Sequence, residues 1–199
     1  MDNAPTIRNA VAADLDDLVD ILSDSFAADP MFNWLFPSTQ LYPFFFRMLV
    51  SEVYLPRGIA HIDSESRAAA LWLPPEQRLK TAPRLRLLRF GLKLLRMYGL
   101  RPVWRVARQS AVFASHHPKE PHYYLQFIGC KSGDQGHGLG AALLSEGTRI
   151  CDEHGMPAYL ECSNPRNVPL YERHGFVVTS QQAVGKNGPT AWFMWRDPR

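Results

Sequence analysis

The chain has 199 residues, of which 46% are hydrophobic, 12% aromatic and 21% charged, with a formal net charge of +3. That length and apolar content build one globular domain with a sizeable core, and exclude both a tandem array and a disordered chain. So small a positive surplus points to no polyanionic partner, and no nucleic acid is expected.

Met1 to Thr6 lack a basic start followed by an apolar stretch, and no later run reaches the roughly 18 to 20 apolar residues that span a bilayer. The expectation is a cytoplasmic, unprocessed protein without a membrane partner, acting as a monomer or homodimer. A short strand is predicted at Thr6 to Asn9. A helix follows, entered at Asp14, with Leu15, Leu18, Val19, Leu22 and Phe26 on its apolar face. Phe26 to Phe46 is dense in aromatics and broken by Pro30, Pro37 and Pro43, which predicts loops and a helix rather than one long element. Those rings are read mainly as core and partly as the wall of a substrate pocket. Ile59 to Ile62 and Ala68 to Leu73 read as a hairpin around Asp63-Ser64-Glu65-Ser66, ended by Pro74-Pro75.

Between Glu76 and Ser110 stand ten basic residues and one acid, so the rest of the chain is net acidic. Leu85, Leu88, Leu92 and Leu95 recur there on one helix face with arginines on the others, the pattern of a helix laid over a core. A docking surface for phosphate-bearing or acidic partners is the alternative. Gly99 to Pro102 break that helix before a second short one through Val103, Trp104, Val106 and Ala107. His122 to Cys130 reads as a central strand. A helix is predicted from Gly138 to about His154, a strand at Ala158 to Cys162 and a short helix at Val168 to His174. Strands at Phe176 to Thr179 and Ala191 to Trp195 close the chain. Cys130, Cys151 and Cys162, odd in number and widely spaced, fit neither a disulfide framework nor a zinc ligand set; they read as reduced thiols, and no metal is expected.

The specific chemistry lies between residues 122 and 176. A strand that runs into Gly133-Asp134-Gln135-Gly136-His137-Gly138-Leu139-Gly140 and then a helix presents several unpaired backbone N–H groups in a row, which suits an anion and above all a phosphate. The dinucleotide fingerprint fails because the glycines fall at 136, 138 and 140. The nucleotide triphosphate loop fails because no Lys followed by Ser or Thr succeeds the last glycine.

Gln135-x-x-Gly138-x-Gly140 after a strand resembles the acetyl-CoA pyrophosphate loop of the GNAT superfamily of N-acetyltransferases. Asn164, Leu170-Tyr171 and Gly175-Phe176 resemble its second motif, Asn-x6-Tyr-x3-Gly-Phe, in the expected order. The resemblance implies an α/β (α+β) fold: a mixed central sheet of about six to seven strands with helices on both faces and a splayed central strand pair. Residues 1–199 would form one N-acetyltransferase domain carrying a basic helical insertion at about 76–110.

It further implies that the pantetheine arm of acetyl-CoA lies between the two central strands on the main chain of Ile128, Gly129 and Cys130. The pyrophosphate would rest on Gln135, Gly136, His137, Gly138, Leu139 and Gly140, with Lys131 and His137 adding charge at the rim. Asn164 and Asn167 would complete the cofactor side. Ser132 departs from the superfamily's frequent proline and Gly133 loosens the loop. Tyr171 would be the general acid that protonates the leaving thiolate. The positions where such enzymes place a general base hold Gln126 and Tyr124, so Glu161 on the neighbouring strand is the candidate base, with His122 behind it. Phe26, Asp29, Phe32, Trp34, Tyr123 and Tyr124 are the expected acceptor-side residues. The implied activity is acetyl transfer to a primary amine, chiefly of a small molecule. The alternatives are a protein lysine or amino-terminal acetyltransferase and a non-enzymatic CoA-binding or regulatory module.

Overall fold

The computed structural model describes residues 5–75, 77 and 84–199, with side chains from 88 onward in the last range. Glu76, Arg78 and Lys80 of the basic stretch, and the side chains of Arg84, Leu85 and Arg86, lie outside the described residues.

Among the described residues, seven strands form one sheet: β1 (Ile7–Asn9), β2 (Ile59–Asp63), β3 (Ala68–Leu73), β4 (Tyr123–Cys130), β5 (Ala158–Cys162), β6 (Val177–Ala183) and β7 (Thr190–Arg196). Their order is β1-β2-β3-β4-β5-β7-β6, antiparallel throughout except for the parallel pair β4–β5 at the centre. β3 is buried along its whole length, and its run Ala-Ala-Ala-Leu-Trp-Leu accordingly shows no apolar–polar alternation. The small residues leave room for helices: Gly147 lies against the indole of the fully buried Trp72.

The helices occupy both faces. On one lie α1 (Leu15–Ser25), α2 (Pro30–Leu35), α3 (Tyr42–Leu49), which runs through a π turn at Val50–Tyr54 into α4 (Leu55–Arg57), then α5 (Arg84–Tyr98) and α6 (Leu100–His116). On the other lie α7 (Leu139–Glu153) and α8 (Val168–Arg173). Strand alternation assigns side chains between the two cores. Tyr124, Phe127, Tyr159 and Phe193 join the α1–α6 side, while Tyr123, Leu125, Leu160, Cys162 and Met194 join the α7–α8 side.

Two expectations change. The second basic helix is not short; Pro102 is tolerated in its first turn, where no internal N–H bond is lost, and α6 continues to His116 because half-buried Gln109, Val112, Phe113 and His116 extend its inward stripe. The leucine stripe of α5 does not cover the core. Phe90 and Leu94 do so instead, Phe90 lying 5.7 Å from the ring of Phe44 and 5.8 Å from that of Phe36, and Leu88, Leu92 and Leu95 face outward.

Gly147→Ala should lower stability by about 1–2 kcal/mol in urea unfolding. Overpacking a rigid buried indole costs up to about 3 kcal/mol, against about 1 kcal/mol gained in helix propensity.

Candidate active site

The site begins where the two central strands part. β4 and β5 pair only over Tyr123↔Ala158, Tyr124↔Tyr159 and Leu125↔Leu160, after which β4 stays on β3 as far as Ala68↔Cys130. A bulge at Gln126 takes the register from Trp72↔Leu125 to Leu71↔Phe127. Tyr123 N–H donates to Pro157 on the β5 side, whereas Lys131 N–H donates to Arg67 on the β3 side. Alternation back from Lys131 therefore turns the backbone groups of Ile128 and Cys130 into the gap and those of Gly129 away from it. The end of α1 packs directly on Gly129, where a Cβ would collide with Ser25 Oγ.

Beyond Cys130, Ser132 N–H donates to Asp24 at 2.5 Å and Lys131 pairs with Asp20 at 2.7 Å. The Lys131 charge, expected at the rim, is thus engaged with α1. Gly136 and Gly138 have φ of +85° and +77°, and Gly138 is the N-cap of α7. Only glycine adopts this left-handed turn without strain. The N–H groups of Gln135 to Leu139 have no acceptor among the described residues, and that of Gly140 faces the Cys130 thiol. These donors at the start of a 15-residue helix fit an anionic group. His137 is exposed, its Nδ1 lying 3.2 Å from the Asp134 carbonyl.

Tyr171 lies on the α7–α8 side of the gap, 6.2 Å from Phe176 between ring centroids. Burial pushes its pKa up, and Cys162, Asp29 and Cys130 add to the shift, so the phenol keeps its proton at neutral pH. Burial likewise raises the Cys130 thiol to about 11 and the Cys162 thiol to about 12. A thiol so held is a poor nucleophile. Cys130→Ser should therefore keep the transfer rate within about threefold in a steady-state assay, whereas a covalent acetyl-cysteine route would lose most of it. Asn164 accepts from Arg166 N–H at 3.1 Å and so caps the turn before α8, while Asn167 is exposed.

On the α1–α6 side Glu161 is nearly fully buried and accepts a hydrogen bond from Tyr124 Oη at 2.5 Å. His117, just past the end of α6, brings Nδ1 to 3.7 Å from the other Glu161 oxygen, and its ring lies 5.0 Å from Tyr159 and 4.9 Å from His122. Tyr54, delivered by the π turn, donates to the bulged Gln126. Burial first and the Glu161 charge second push the Tyr54, Tyr124 and Tyr159 phenols up, so all three remain protonated beside the carboxylate. His122 is buried, with Nδ1 2.6 Å from the Glu120 carbonyl.

The acceptor-side residues divide. Asp29 caps α2 through Phe32 N–H and accepts from Ser163 Oγ at 2.5 Å, which ties α2 to the end of β5; burial raises its pKa. Phe26 bridges Phe32 and Phe127 at 4.7 and 5.7 Å. Phe32 lies behind Phe26 in the core, stacked on Phe46 at 5.4 Å. Two others go elsewhere. Trp34 lies under Arg105 against the turn at Gly185 and Gly188. Tyr123 points to the other face, 2.8 Å from His154. One-residue alternation separates Tyr123 from Tyr124, and no composition argument assigns the faces. No sequence motif joins His117 and Tyr54 to Glu161, from which they sit 44 residues and more away along the chain. Among the described residues, no group of three or more His, Cys, Asp or Glu side chains is placed to hold a metal ion.

Comparison with known proteins gives one family. The model described as "Acetyltransferase (GNAT) family" matches residues 68–176. A curated relative, an uncharacterized N-acetyltransferase of Schizosaccharomyces pombe, is 42% identical over 62 residues, 31% of this chain and 24% of the yeast protein; the match spans about a quarter of that relative's length. A crystal structure from Corynebacterium glutamicum, described as histone acetyltransferase HPA2 and related acetyltransferase, superposes with a TM-score of 0.73 at 28% identity, covering 99% of this chain and 98% of that one. Arylalkylamine N-acetyltransferase 2 from Aedes aegypti superposes with a TM-score of 0.68 at 13% identity, covering 99% and 100%, a likeness of fold.

Proposed function

The chain belongs to the acetyltransferase (GNAT) family, and from that premise we propose that it transfers an acetyl group from acetyl-CoA to the primary amine of a small molecule. The observation that carries the reading is the gap between β4 and β5. It has a protonated phenol, Tyr171, on one side, a buried carboxylate, Glu161, on the other, and between them the backbone groups of Ile128 and Cys130 turned into the gap.

Acetyl-CoA supplies an activated acetyl thioester. The backbone of Gln135 to Gly140 would hold its pyrophosphate and the main chain of Ile128 and Cys130 its pantetheine arm. A backbone N–H directed at the thioester oxygen is worth roughly 3–4 kcal/mol in other enzymes. Glu161 accepts the proton of the attacking amine at a carboxylate oxygen, and His117 borders its other oxygen. Tyr171 Oη, which keeps its proton at neutral pH, would donate it to the leaving sulfur. The Tyr171 phenol lies in low-dielectric surroundings, and burial that raises its pKa would raise the basicity of a thiolate leaving beside it as well.

An enclosed carboxylate ringed by Tyr54, Tyr124, Tyr159 and His117 suits a compact ammonium group, and the arylalkylamine enzyme of Aedes aegypti shares this fold. A protein acceptor is the second reading, favoured by the name of the Corynebacterium glutamicum structure. Thiol release from acetyl-CoA against a panel of small primary amines and lysine peptides tests both. Turnover with arylalkylamines or polyamines and none with peptides is expected; turnover with peptides alone would replace the first reading by the second.

A further inference from the structure

The leucine stripe of α5 is left over once the core is built. Phe90 and Leu94 are 5% and 2% exposed, whereas Leu88 and Leu92 stand at 59% and 44%, with Leu95 beside them. The chain then turns at Gly99 into α6, whose first turns add Leu100 at 73% and Trp104 at 58%. Single exposed leucines are ordinary; six large apolar side chains on two consecutive helices, these five and Met97, are not.

The charges around them have one sign. From Arg84 to His116 the sequence holds no Asp or Glu. Arg105 and Arg108 donate to the carbonyls of Trp34 and Val184, but Arg89, Arg96 and Arg101 form no ion pair among the described residues. Arg89, Leu92, Lys93, Arg96 and Met97 border a shallow surface groove.

We propose that this face docks on the surface of an anionic lipid bilayer, with the leucines and Trp104 entering the headgroup boundary and the free guanidinium groups pairing with lipid phosphates. No helix among the described residues is long and apolar enough to cross a membrane, so the contact lies in the plane of the interface. Charge complementarity selects this occupant. A second copy of the chain would bring Arg89 and Arg96 toward like charges, with no carboxylate in either helix to neutralise them. An acidic protein would need carboxylates registered to each guanidinium, whereas a headgroup plane offers negative charge at every position.

The test is sedimentation of the full chain with vesicles of phosphatidylcholine alone and of phosphatidylcholine mixed with phosphatidylglycerol. Binding to the mixed vesicles only, weakened by salt, is expected, with a blue shift of tryptophan emission that Trp104→Phe removes. Arg89→Gln with Arg96→Gln should lower the partition coefficient about 30-fold, at about fivefold per cation. Leu88→Ser with Leu92→Ser should lower it at least about tenfold, since each loses a buried aliphatic side chain. These are surface positions, so circular dichroism and turnover of a soluble amine should match the parent. Equal binding to both vesicle types, no binding to either, or insensitivity to the paired substitutions would overturn the proposal. A concentration-dependent dimer in light scattering that Leu92→Asp dissolves would assign the face to a second copy instead.

Discussion

Replacing Tyr171 with Phe should reduce kcat by about 10²- to 10³-fold while changing acetyl-CoA affinity by less than about threefold. The substitution removes one oxygen from a ring otherwise held by packing against Phe176 on the α7–α8 side of the sheet, so the fold and the glycine-rich turn before α7 stay as they are. The hydroxyl, with the proton it can give, is all that is lost. A general acid acts in the transition state and contributes little to ground-state binding, which separates its signature from that of a binding residue. The stated range corresponds to about 2.7–4 kcal/mol of transition-state stabilisation. Steady-state kinetics with calorimetric titration of acetyl-CoA read the two quantities independently. Unchanged turnover would remove Tyr171 from the chemistry, and a parallel loss of affinity would make it a binding residue.

Glu161→Gln should lower kcat/KM by about 10²- to 10³-fold at neutral pH, with a deficit that shrinks as pH rises. An alkylammonium group titrates near 10.4, so at neutral pH nearly all of the amine carries a proton that a base must remove. Raising the pH supplies free amine from solution and substitutes in part for the carboxylate. The glutamine carbonyl still accepts from Tyr124, so the buried hydrogen bond survives and thermal unfolding should change little. A pH series of kcat/KM for parent and variant decides the matter. A deficit constant across pH would make Glu161 a positioning or binding group, and no deficit would leave base catalysis to another residue; neither outcome touches the Tyr171 result.

The residues proposed for the cofactor side were legible in the sequence because they are local. Gln135, Gly138 and Gly140 lie within six residues, and a loop that binds through backbone N–H groups must betray itself by glycine at the positions where φ is positive. The second motif, from Asn164 to Phe176, is equally compact, since one turn and one short helix carry Tyr171 to the gap. Buried apolar runs likewise marked β3, β4 and β5, because such runs are properties of neighbouring residues. The far end of β6 escaped because a polar, exposed stretch carries little periodic signal.

The acceptor side was different. Glu161 meets Tyr124 across the parallel pair, His117 arrives from the end of α6 and Tyr54 from a π turn, through contacts spanning 37 to more than 100 residues. Residue type nominated Glu161, but its neighbours depend on which face each strand presents, and that depends on one bulge at Gln126 and on the register of β4 with β5. The same distinction governs α5. The spacing of Leu88, Leu92 and Leu95 marks an apolar face without stating what it meets, and only the packing of Phe90 on Phe36 and Phe44 turned that face outward. Local pattern thus specified most of the elements and the glycine-rich turn before α7. The choice of inward face and the assembly of distant side chains around Glu161 were settled by tertiary packing, because burial is a competition among all apolar surfaces at once and no segment holds that information alone.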